Sequence, residues 1–177
     1  MTLTTEQLVL RPFSQEDWRD LHEYLSQQEV VRFEPYDVFT EDQSREEARR
    51  RATDPHFWAV CLALTGKVIG NIYFAQQQPE EFSNWELGYV FNQKYQKNGY
   101  ATQACRAILN YGFLQCSVRR VIAMCNPLNA PSWHLLQRLG FRREGHQLQN
   151  IFFKHDANGN PIWCDTYEYA MLKDEWK

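Results

Sequence analysis

Apolar and polar residues alternate along Gln7-Leu8-Val9-Leu10-Arg11-Pro12-Phe13, and this period of two predicts an opening strand. The period changes at Ser14. Its hydroxyl is placed to cap a helix with Glu16 and Asp17 in the first turn, and Trp18, Leu21, Tyr24 and Leu25 then recur at helical spacing to about Gln28. Val30 to Phe39 is an irregular aromatic stretch. Thr40-Glu41-Asp42-Gln43 has the capping-box pattern and opens a highly charged helix through Arg51, where only one thin face is suited to burial. Phe57 to Leu64 and Lys67 to Phe74 read as a hairpin turning at Thr65-Gly66, and Trp85 to Phe91 as a further strand.

Beyond Gly99, Ala101, Ala104, Cys105, Ile108, Leu109 and Phe113 mark one face of a helix that ends near Cys116. Arg120 to Cys125 is strand-like. A helix after Asn129 follows, with Trp133, Leu135, Leu136 and Leu139 inside and Gly140 where a left-handed cap is wanted. Two strands close the chain, near Gly145 to Phe153 and Thr166 to Leu172, joined through the turn signal Asn158-Gly159. This order of elements predicts an α+β fold around one mixed sheet. No repeat, low-complexity stretch or linker divides residues 1–177, so the pattern reads as one domain.

Composition narrows the function classes. A hydrophobic fraction of 44% supports a continuous core, and a formal charge of -3 with both signs dispersed supplies no global field for nucleic acid or an anionic membrane. The longest apolar run, Phe57 to Leu64, is far below the roughly 20 residues that span a bilayer. Met1 to Glu6 lacks the basic and apolar regions of a secretory signal, which predicts a cytoplasmic protein. The five cysteines form no Cys-x-x-Cys pair and the five histidines show no ligand spacing, so reduced thiols and no metal are expected.

The most informative junction is the strand ending at Phe91, the polar turn Asn92 to Asn98 and the helix start at Gly99-Tyr100-Ala101-Thr102. Such a turn points consecutive amides outward at the positive end of a helix dipole, which suits a pyrophosphate, and it also fits an ordinary strand-to-helix turn. It is neither a Walker loop nor a three-glycine dinucleotide fingerprint.

Gln96-x-x-Gly99-x-Ala101 resembles the acyl-CoA-binding signature of the GNAT superfamily of N-acetyltransferases. Asn126 to Ser132, followed by Leu139-Gly140-Phe141 and Gly145, is similar to the superfamily's next conserved block. The ends, Thr5 to Phe13 and Tyr169 to Trp176, are similar to the branch that holds the ribosomal-protein N-terminal acetyltransferases (RimJ/RimL-like). The resemblance implies a mostly antiparallel sheet with helices on both faces and a V-shaped splay between the strands Trp85 to Phe91 and Arg120 to Cys125. It further implies acetyl transfer from acetyl-CoA to a primary amine, of a small molecule or a protein N-terminus, by direct attack.

By the same resemblance the backbone of Tyr89, Val90 and Phe91 would pair with the pantetheine amides. Gln96, Lys97, Asn98, Gly99, Tyr100, Ala101 and Thr102 would form the pyrophosphate cradle. Asn129 would bond the pantetheine arm, and Ser132 would stand near the sulfur as proton donor; capping of the following helix is the alternative role for both. Glu86, in an otherwise apolar strand, is the candidate base, or else a solvated residue on the polar face. The superfamily's frequent acid, a tyrosine seven residues after the motif asparagine, is Leu136 here, which shifts weight to Ser132 or water. Phe33, Glu34, Tyr36, Asp37 and Trp85 are the candidate acceptor residues, their acids attracting an amine and their rings covering it, or else an exposed acidic loop beside a packed aromatic. An acyl-CoA-binding regulatory module without turnover is the alternative function, and the strand-rich C-terminus offers an edge for a homodimer.

Overall fold

The computed structural model describes residues 1–177. Its strands are β1 (Leu3–Thr4), β2 (Leu8–Pro12), β3 (Phe57–Leu62), β4 (Val68–Gln76), β5 (Asn84–Phe91), β6 (Arg120–Cys125), β7 (Arg142–His155) and β8 (Pro161–Leu172). Its helices are α1 (Trp18–Leu25), α2 (Gln28–Val31), α3 (Glu41–Thr53), α4 (Tyr100–Gln115) and α5 (Ala130–Arg138). The eight strands form one mixed sheet in the order β1-β2-β3-β4-β5-β6-β8-β7. Every pairing is antiparallel except β5 with β6.

Helices cover both faces, as the α+β reading requires. Cys105, Ile108, Leu109 and Phe113 of α4 and Leu135 and Leu136 of α5 pack on Leu8, Leu10, Ile72, Phe74, Leu87 and Val121. On the opposite face Leu21, Tyr24 and Leu25 of α1, Val31 of α2 and Ala48 of α3 pack on Ala59, Cys61, Val68 and Val90. Burying each large aliphatic or aromatic side chain contributes about 1.5–3 kcal/mol, so these two apolar layers hold the helices to the sheet. The Phe74 ring would stand 2.7 Å from a Cβ at residue 112, and only Gly112 lets α4 lie this close to β4.

The capping signals act as read. Ser14 accepts from the Glu16 amide while Asp17 accepts from the Ser14 amide. Thr40 and Gln43 form a second reciprocal box at the start of α3. Four boundaries differ from the pattern. The first helix stops at Leu25, because Gln27 leaves the helical backbone for an extended one, so Gln28–Val31 forms its own turn. β3 ends at Leu62, where the Leu62 amide donates to Lys67 O and the chain turns. β1 was not visible as a periodic run; the Thr5 side chain and amide, bonded to Leu8, create it. β7 and β8 extend past their predicted ends as a hairpin whose outer residues, among them Leu148, Phe153, Ile162 and Trp163, are exposed. With no buried face there, alternation is not required and the pattern fades.

Candidate functional site

β5 and β6 pair only at Asn84/Arg120, Trp85/Val121 and Glu86/Ile122. Beyond Glu86, β5 continues with β4 as far as Phe91, and β6 continues with β8 as far as Cys125. The two parallel strands therefore part, leaving a cleft between Leu87–Phe91 and Ala123–Cys125. Each strand runs on into a helix, α4 and α5, whose N-termini open at the same end. In α/β sheets that end, where neighbouring strands diverge, is where ligands bind.

On the β5 side, Lys97 at φ +63° and Gly99 at φ +80° curl the chain into α4. None of the six amides from Lys97 to Thr102 donates to a group of the protein. The side chains that shape this loop face inward: Gln96 Nε2 donates to Phe91 O at 3.2 Å, and Asn98 Nδ2 donates to Gln96 O at 3.0 Å and Tyr95 O at 3.3 Å. Nothing stands within 4 Å of a Cβ built at Gly99. A row of unpaired, outward amides at a helix N-terminus is a ready anion cradle.

Ahead of the loop, buried Asn92 accepts from the Lys94 amide (3.1 Å) and from Gln27 Nε2 (3.2 Å) and donates to Glu23 (3.2 Å). Hydrogen bonds from Lys67 and then Lys94 hold the Glu23 carboxyl down to about 2. α1 thus clamps the entry to the loop through Glu23 and Asn92, two residues that belong to none of the motifs. The asparagine directly after a strand was the available signal, since such a side chain bonds the backbone two residues on.

On the β6 side, Asn126 Oδ1 accepts from the Leu128 amide and Trp133 Nε1 donates to Pro127 O, fixing the turn into α5. Asn129 occupies the cap position without a side-chain capping bond. Ser132 Oγ lies 3.0 Å from the Tyr89 hydroxyl, joining α5 to β5 across the cleft. Capping therefore does not account for either side chain. Burial pushes the Tyr89 phenol up and the Cys125 thiol to about 11, so both remain neutral. Leu136 lies one turn beyond Ser132, inside the core at 1% exposure.

Glu86 points to the other face, the one covered by α1 to α3, since Trp85, Leu87, Tyr89 and Phe91 pack beneath α4 and α5 while Val90 packs against α1. It forms neither an ion pair nor a hydrogen bond, and burial alone raises its carboxyl. An unpaired, half-buried carboxylate beside a cleft is the arrangement expected of a proton acceptor.

The segment between α2 and α3 overlies this same face through Tyr36 and Phe39. Glu34 is half-buried there, and burial raises its carboxyl to about 7, opposed by a Tyr36 hydrogen bond and by Arg51. Arg51, at 2% exposure, pairs with Glu47 at 2.6 Å and donates to Asn71 Oδ1 at 2.8 Å, an oxygen that also accepts from Tyr24. The Arg32 guanidinium stands 5.2 Å over the Phe33 ring. Asp37 is exposed and meets Lys154 of β7 at 3.2 Å, linking this segment to the terminal hairpin. Phe33, Glu34, Tyr36 and Asp37 thus share one segment. Trp85 does not join them: its ring packs 4.8 Å from Phe74 on the α4 face, because pleating sends it opposite to Glu86.

Glu34 carries a stability prediction. Its folded value near 7 exceeds its ordinary 4.5, so the folded chain holds a proton that the unfolded chain releases. Stability then falls as pH rises from about 4.5 to about 7, by about 3 kcal/mol. In urea titrations the Glu34→Gln variant should gain about 2 kcal/mol on the native chain between pH 5 and pH 8. An unchanged gap would show that Glu34 is not buried.

Three kinds of likeness bear on this cleft. A family model described as an acetyltransferase (GNAT) domain matches residues 7–142. The chain is 37% identical over 177 residues to the uncharacterized N-acetyltransferase YnaD of Bacillus subtilis (strain 168), covering 99% of each. It is 24% identical to the spermidine N(1)-acetyltransferase of Escherichia coli (strain K12), covering 93% of this chain and 88% of that one. Among solved structures, a GNAT-family acetyltransferase from Bacillus anthracis superposes with a TM-score of 0.89 at 35% identity, covering 99% and 100%. A ribosomal-protein-S5-alanine acetyltransferase from Vibrio fischeri gives 0.80 at 20% identity, covering 100% and 99%, a likeness of fold alone.

Proposed function

The chain belongs to the GNAT acetyltransferase family, and from that premise we propose that it transfers the acetyl group of acetyl-CoA to the primary amine of a small molecule. It is an N-acetyltransferase, and acetyl-CoA is the general co-substrate of its family. The observation that carries the reading for this chain is the row of six unpaired amides from Lys97 to Thr102 beside the parted strands. They would hold the pyrophosphate; the free inner edge of Tyr89, Val90 and Phe91 would pair with the pantetheine amides; Asn129, with its side chain uncommitted, would bond the arm.

The acetyl group is the electrophile that the co-substrate supplies. Glu86 would take the proton of the acceptor ammonium, since only the free amine has the lone pair that attacks a thioester. Burial raises its pKa above the ordinary carboxylate value, which makes it a stronger proton acceptor. Ser132 would face the sulfur from the first turn of α5. Glu34 and Tyr36 would bound the acceptor pocket with Phe33, and the ion pair between Asp37 and Lys154 would narrow its entrance. The spermidine acetyltransferase relative favours an alkyl amine over a peptide. The chain's two ends, Thr5 to Phe13 and Tyr169 to Trp176, support the RimJ/RimL-like branch. We place the protein, as one acetyltransferase unit, in the cytoplasm, where five free cysteines suit the reducing conditions.

Thiol release should be followed with acetyl-CoA and a panel of polyamines, other alkyl amines, aminoglycosides and N-terminal peptides. Acceptor-dependent CoA release with at least one small amine is expected. Release with peptides alone would overturn the acceptor class, and CoA binding without release from any acceptor would favour a regulatory module.

A further inference from the structure

We infer that Tyr89 is a positioning residue that frees the Ser132 hydroxyl to hydrogen-bond the departing thiolate, a task Leu136 has no group to perform; this rests on the function proposed above. The Tyr89 hydroxyl lies 3.0 Å from the Ser132 carbonyl oxygen and 3.0 Å from Ser132 Oγ. One phenolic proton thus has two acceptors at equal range. While Tyr89 donates to the carbonyl, Ser132 Oγ can donate back to Tyr89. When Tyr89 donates to Oγ instead, the serine's own proton is released toward the cleft. The exchange needs two hydroxyl rotations and no heavy-atom movement, so the donor is preorganised where charge develops.

The position fits that charge. Ser132 stands in the first turn of α5, at the positive end of its dipole, and Tyr89 stands on β5 beyond the last pairing with β6. Burial keeps the phenol protonated, so Tyr89 contributes orientation and not a proton. In the transfer, the acceptor nitrogen's lone pair forms the C–N bond and the C–S pair leaves on sulfur. Glu86 already holds the ammonium proton, so the proton that the nitrogen sheds on becoming an amide passes through water to the thiolate; Tyr89 and Ser132 end with the charge they began with. Position 136 offers no such donor, because Leu136 fills the core beneath α5.

The test compares Tyr89→Phe, Ser132→Ala, the double variant and Ser132→Thr on a wild-type chain shown to be active. Each single loss should lower kcat about tenfold, the size of one hydrogen bond to a charged group, while CoA affinity by calorimetry stays within about twofold. The double variant should be no slower than Ser132→Ala, and Ser132→Thr should recover most of the rate. Full rate in Tyr89→Phe, additive losses, or a fall in CoA affinity that matches the fall in kcat would overturn the inference. A wild-type chain without acceptor-dependent turnover would instead sink the function on which it rests.

Discussion

Replacing Gly99 by Leu lowers CoA affinity by roughly two orders of magnitude while the protein still folds. Gly99 holds φ +80°, which costs an L-residue about 1–2 kcal/mol, a tolerable loss for a domain of this size. The new side chain would extend into open space, since no atom lies within 4 Å of its Cβ. Relaxing the loop or filling that space would remove about two charge-assisted bonds from amide to phosphate. At about 1.5–3 kcal/mol each, two such bonds amount to a factor of at least about 100. Gly99→Ala keeps the strain and omits the bulk, and should fall between. Unchanged calorimetric affinity in Gly99→Leu would refute the phosphate loop.

Replacing Glu86 by Gln should lower kcat about 100-fold, the lower end for loss of a general base, with CoA affinity within about twofold. Glu86 accepts a proton only when ionised, so the native rate falls as pH drops through its folded pKa. Burial has moved that pKa above the ordinary carboxylate value, and the acid limb moves with it. In Glu86→Gln the limb should vanish, leaving only the acceptor's own ionisation. The variant should also be no less stable near pH 7, because a raised carboxylate pKa means that its charge opposes folding above the unfolded value. A slow variant that stays stable and binds CoA therefore isolates the chemistry. Full activity at neutral pH would remove Glu86 as base.

Of the two halves of the cleft, the β5 side was the more legible in the amino-acid pattern. Gln96, Gly99 and Ala101 sit at local spacing, and Gly99 needs its left-handed backbone for reasons internal to the loop. The α5 side was ambiguous because Asn129 and Ser132 are both good capping residues, and capping is a local role that sequence always allows. Only the fold shows that neither caps α5 and that Ser132 reaches Tyr89, 43 residues away along the chain. Trp85 and Glu86 illustrate the same limit. They are neighbours in sequence and both were candidates, yet the pleat sends one under α4 and the other toward α1.

The sequence by itself determined what depends on near neighbours: the capping boxes at Ser14 and Thr40, the apolar faces of α1 and α4, the span Arg120–Cys125 and the turn into α4. Tertiary structure decided what depends on long-range pairing: β5 and β6 touch over only three residues, so the splay that the resemblance implied opens after Glu86. It also decided the clamp from Glu23 through Asn92, the bond from Tyr89 to Ser132 and the burial that raises Glu34 and Glu86. The physical reason is one of range. Capping and periodicity act within about one or two turns of chain. Strand pairing and desolvation are set by which distant residues the closed sheet brings together.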